Sequence, residues 1–79
     1  MKKRFMVAIH DDNNATLEMF DVSARHEVVA VLKAIKQKEF EAYKAYIEWT
    51  DECDMDLGGV GDVKEFFHEW LTIAIKEIV

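Results

Sequence analysis

The three glycines of this chain, Gly58, Gly59 and Gly61, fall within one four-residue stretch, and the chain has no proline. The backbone is punctuated at one place, so every other reversal must be made by residues with side chains. Upstream of that point Val28, Val31, Leu32, Ile35, Ala42, Tyr43, Tyr46, Trp49 and Cys53 share one face at the helical period. His26, Lys33, Gln37, Glu41, Lys44, Glu48 and Glu52 take the opposite face. The phase holds across 24–52 without a breaker, which predicts helix, and Ser23 is placed to cap it. One unbroken rod of that span would be roughly 45 Å long, more than a small domain usually carries. Glu39 also falls on the apolar face beside Lys36, Gln37 and Lys38, so a break near 36–40 is allowed.

Ahead of the helix, Phe5, Val7 and Ile9 alternate with Arg4, Met6, Ala8 and His10. Asp11-Asp12-Asn13-Asn14 then supplies side chains that bond their own backbone in turns. Alternation resumes with Leu17, Met19 and Asp21 against Thr16, Glu18, Phe20 and Val22, which completes a β-hairpin. A hairpin alone is marginal in water, so it must pack on helices. After the glycines, Asp62 and Glu65 fit the Asp-x-x-Glu variant of a capping box. Val63, Phe66, Phe67, Trp70, Ile73, Ala74 and Ile78 then form the apolar face of a last helix. The expected fold is α+β in the order ββαα, a single small domain over 1–79. Residues 42–50 also alternate at period two, which gives ββαβα with a third strand there as the alternative.

Charge narrows the function classes. The net charge is −6, and 48–65 holds it all: seven acids against the single base Lys64. Phosphate contacts need clustered Lys and Arg, so direct nucleic-acid binding is not expected. Lys2-Lys3-Arg4, the one basic cluster, reads as the solubilising start of an edge strand. With one cysteine, Cys53, no intrachain disulfide can form, and a reducing compartment is the simpler reading. The apolar run behind Met1–Arg4 is cut short by His10-Asp11-Asp12, and no segment is long enough to span a bilayer. A cytoplasmic protein without a membrane role is expected. Hydrophobic residues make up 51% of so short a chain, which argues against disorder and for a second subunit covering part of the apolar surface.

The acids of the junction have two readings. In the first, Asp54, Asp56, Val60, Asp62 and Glu65 offer carboxylate and carbonyl oxygens around the turn at Gly59, the donor set a hard cation wants. This stretch, 54–65, resembles an EF-hand calcium loop. The resemblance implies calcium at those five residues. The match is partial: the fifth loop position is Gly58, the eighth is Gly61, and the chain has no second loop to pair with. In the second reading, Gly58 or Gly59 ends the preceding helix in a left-handed conformation while Asp62 and Glu65 cap the next. That reading needs no metal, and it is the stronger.

No catalytic set can be assembled. Glu65 and His68 are one turn apart, as in the Glu-x-x-His of di-iron bundles, but those sites need two such motifs and two further glutamates. His10 beside Asp11 and Asp12 fits turn chemistry better than acid–base work. Cys53 on the apolar face reads as a packed thiol. The residues point to a small, acidic, non-catalytic protein without cofactor that acts through protein–protein contact, as a homo-oligomer, most simply a homodimer. A basic protein surface is a further partner the acidic junction would fit. The alternative is a calcium-binding module at 54–65.

Overall fold

The two alternating runs form β1 (Lys3–Asp11) and β2 (Thr16–Ala24), paired antiparallel from Lys3 against Ala24 to Asp11 against Thr16. The computed structural model describes residues 2–54 and 56–78. At the turn, the Asp11 carboxylate accepts from the amides of Asn13 (3.0 Å) and Asn14 (3.2 Å) and from Asn14 Nδ2 (3.0 Å). Ala15 closes the turn in the left-handed region, at φ 53°. The acid and amide side chains therefore do what a glycine turn would do elsewhere.

The helical span is divided into α1 (Glu27–Lys38) and α2 (Phe40–Glu52). The break is one extended residue, Glu39, at φ −154° and ψ 105°. Its amide still donates to Ile35 O at 2.8 Å, and its carbonyl accepts from Tyr43 N at 3.3 Å. Glu39 thus ends one helix and starts the next, and the turn leaves its carboxylate exposed instead of burying it in the apolar face. Residues 42–50 are helix, so the alternative third strand does not lie there. Their four-residue spacing puts Tyr46 and Thr50 in the core, whereas a strand would have divided them from Tyr43 and Trp49 on a sheet with no place for them. Ser23 is not the cap of α1. The hairpin continues to Ala24, opposite Lys3, and the N-cap residue is His26, whose side chain makes no capping bond.

The last element also differs from expectation. Helix α3 (Val60–Phe66) is short, a turn at Phe67–Trp70 follows, and Leu71–Ile78 is the strand β3. It pairs antiparallel with β1, from Arg4 against Ile78 to Asp11 against Leu71, and the sheet order is β2-β1-β3. Leu71, Ile73 and Ile75 alternate with Thr72, Ala74 and Lys76, a period that the helical spacing of Phe66, Phe67 and Trp70 masks. β-Branched Thr72, Ile73, Ile75 and Ile78 suit the pleated surface, and the strand sets Ile73 beside Ile9 and Ile75 beside Val7.

One face of the sheet holds the core. Phe5, Val7 and Ile9 of β1, with Val22 and Ala24 of β2 and Ile73 of β3, meet Ala30, Val31, Leu32, Ala34 and Ile35 of α1. Tyr46, Val63 and Phe67 complete the same cluster from α2 and α3. Each large apolar side chain buried there contributes ~1.5–3 kcal/mol. The molecule measures 35 × 32 × 19 Å, a thickness that fits one layer of helices, each about 10 Å across, on one sheet. The class is α+β, with a hairpin, two helices after it, and a C-terminal third strand.

Candidate functional site

The acidic junction is built by ordinary chain-reversal chemistry. Helix α2 ends at Glu52, and the left-handed residue that follows is Asp54 at φ 52°, not a glycine. Its amide donates to Asp51 O at 3.1 Å. Gly58 supplies a second positive φ, 72°, further along the loop. Between them Tyr46, fully buried on α2, donates its hydroxyl to Leu57 O at 2.6 Å and pins the loop to the helix. Gly59 is the N-cap of α3, and its amide donates to the Asp62 carboxylate at 2.8 Å. Asp62 therefore serves the helix as its third residue rather than as its cap, and Glu65 lies in the last turn, outside the capping bond.

The five residues of the calcium reading are divided by this arrangement. Asp62 and Glu65, one turn apart on α3, line an open cleft with Trp49, Phe66 and His68. Asp56 lines a different cleft with His26, Val29, Ile47 and Leu57. Val60 opens α3, where its carbonyl belongs to the helix's own i→i+4 bonding. Met55, inside the same stretch, lies outside the described residues. Among the described residues no group of three or more His, Cys, Asp or Glu side chains is placed to hold a metal ion.

The remaining candidates resolve individually. His68 is exposed, and its Nδ1–H donates to the backbone carbonyl of Glu65 at 2.7 Å rather than to that residue's carboxylate. Cys53, expected to be packed, is exposed, because α2 has already ended. His10 and Asp12 do meet: Nδ1–H donates to Oδ1 at 2.7 Å, and Thr72 Oγ1 donates to the same carboxylate at 3.2 Å. Asp12 N also donates to Trp70 O at 2.9 Å. The cluster fastens the hairpin turn to the start of β3.

Sequence reasoning missed the other face of the sheet. With Phe5, Val7 and Ile9 turned to the helices, Met6, Ala8 and His10 point the opposite way. The register sets Met19 and Ala74 on either side of Ala8, and Leu17 and Thr72 on either side of His10. Asp21 and Lys76 flank Met6 in the next row, and Arg4 pairs with Asp21 through two hydrogen bonds. No helix or loop covers this face among the described residues. Leu17 and Met19 are 63% and 61% exposed, the two most exposed large apolar side chains among those described. The signal was present in the sequence. The second hairpin strand carries apolar residues in both phases, Leu17 and Met19 in one and Phe20 and Val22 in the other. A hairpin with only one buried face needs only one of them. Comparison with known proteins adds no relative: no family model, no curated protein and no solved structure matches this chain.

Proposed function

We propose that this protein is a small, non-catalytic interaction protein that works as a homo-oligomer, with the open face of the sheet as its contact surface. The observation that carries the reading is the uncovered apolar row Leu17, Met19, Met6, Ala8 and Ala74 on the face away from the core. Contiguous exposed apolar surface on a small domain marks an interaction site more often than isolated apolar residues do. The polar groups support the same reading. His10, Asp12 and Thr72 satisfy one another at one end of the face, as Arg4 and Asp21 do at the other, which leaves an apolar centre with a bonded polar rim.

Sedimentation equilibrium over a concentration series tests the proposal. The wild-type chain should show a reversible rise in mass with concentration. Met19→Glu, an exposed position whose change leaves the core untouched, should abolish that rise while the far-ultraviolet circular dichroism stays the same. A wild-type chain that is monomeric at every concentration would remove the proposal.

A further inference from the structure

We infer that the open sheet face meets the same face of a second copy about a two-fold axis running along β1, an inference that rests on the oligomer reading above. Charge identifies the occupant. The chain as a whole carries −6, so two copies repel over most of their surface. On the open face Arg4 and Lys76 balance Asp12 and Asp21, so this is where like-charged copies approach without that penalty. A basic partner would be drawn instead to the acids of α2, α3 and the loop between them, on the helical side of the slab.

The strand register then selects the axis. Rotation about β1 keeps each cross-strand row at its own level and exchanges the two edges of the sheet. Met19 comes to lie against the partner's Ala74, a large side chain against a small one. Asp21 comes to lie against the partner's Lys76, an acid against a base, and the pair occurs twice in the dimer. On the axis itself Arg4 meets the partner's Arg4 and Asp12 the partner's Asp12, each already bonded within its own chain, to Asp21 and to His10 and Thr72. Rotation about an axis across the strands through Ala8 would join Arg4 to the partner's Asp12, but it would set Leu17 on the partner's Asp21 and Met6 on the partner's His10, an apolar side chain on a polar one each time. The turn of about 30° between aligned packed sheets displaces the neighbouring strands by less than one row. Three strands spaced about 4.8 Å and eight residues at about 3.4 Å give a face of roughly 400 Å² per copy. Such a contact totals roughly 800 Å², short of the roughly 1,000 Å² that a stable interface needs and in the range of transient contacts, so the dimer is weak and concentration-dependent.

Thiol cross-linking with a short bifunctional reagent, in a Cys53→Ser background that removes the exposed native thiol, reads the axis directly. Differently tagged Met19→Cys and Ala74→Cys chains, mixed, should give a cross-linked mixed dimer, and Met19→Cys chains alone should give little. Lys76→Glu should weaken dimerisation about tenfold, the sum of two surface ion pairs, whereas Lys64→Glu on α3, with the same change in net charge, should leave it close to wild type. Preferential linking of Met19→Cys chains to one another, or no linking in any pairing by a chain that does sediment as a dimer, overturns this geometry and leaves the oligomer reading standing. A chain that never dimerises overturns both.

Discussion

Tyr46 shows how much one side chain can settle in a molecule of this size. Its ring lies edge-on to Phe66 at 5.4 Å and against Trp49 at 5.7 Å and Phe67 at 6.2 Å, so it joins α2 to α3. Its hydroxyl, inside that aromatic cluster, is satisfied by Leu57 O. Burial first, and the negative charge of Asp62 second, hold its pKa above the ordinary 10.0. The consequence has a definite sign. As pH rises the unfolded chain gives up this proton before the folded chain does. The contribution is therefore complete below the ordinary value and is lost as pH climbs through the folded one. Tyr46→Phe should flatten the dependence of unfolding free energy on pH above about pH 10. It should also cost ~1 kcal/mol at neutral pH for the lost hydrogen bond. Equal alkaline slopes in the two proteins would count against this account of Tyr46. The same residue-scale logic explains the acids: Asp62 serves an amide, Asp11 a turn, and Asp21 the guanidinium of Arg4.

Elements were legible in the sequence where one period stood alone and illegible where two overlapped. Phe5, Val7 and Ile9 alternate over a stretch too short for a helical face, and they form β1 as expected. The helical face from Val28 to Trp49 is equally clear, and the misfit of Glu39 on it is the visible mark of the break. Beyond Phe66 the two periods coincide: Phe66, Phe67, Trp70, Ile73 and Ala74 fit a helix, and Leu71, Ile73 and Ile75 fit a strand. Local spacing does not decide between them. The decision comes from β1, more than sixty residues upstream, whose free edge and apolar Val7 and Ile9 accept β3. Such non-local pairing is absent from any window of the sequence. Neighbouring substitutions separate the two periods. In the strand Ile73 is buried and Ala74 is exposed on the other face. Ile73→Ala should cost ~2–5 kcal/mol, and Ala74→Thr, compared at a dilution where the chain is monomeric, should fall within about 0.5 kcal/mol of wild type. In a helix both positions would belong to the apolar face, and both changes would be costly. The candidate site was legible in the same uneven way. The acids of 54–65 stand out in composition, yet the structure spends them on helix ends and solvent, while the open face is announced only by Leu17 and Met19 being apolar in the phase opposite to Phe20 and Val22.

At the scale of the whole molecule, this is a slab 19 Å thick with one filled interface and one open one. The helices cover a single face of a three-stranded sheet, and the exposed acids of α2, α3 and their connecting loop lie on the helical side. Pairing two copies through their sheets produces four layers, helices outside and sheets within. It would bury the apolar row and turn the acidic surfaces outward, where they would keep the dimer soluble. Methyl NMR on a chain labelled at methionine and alanine, followed by serial dilution, tests this arrangement most directly. Concentration-dependent shifts are expected at Met6, Ala8, Met19 and Ala74, with Ala42 and Ala45 of α2 unchanged. Shifts confined to α2, or a spectrum that does not change on dilution from the highest attainable concentration, would contradict it.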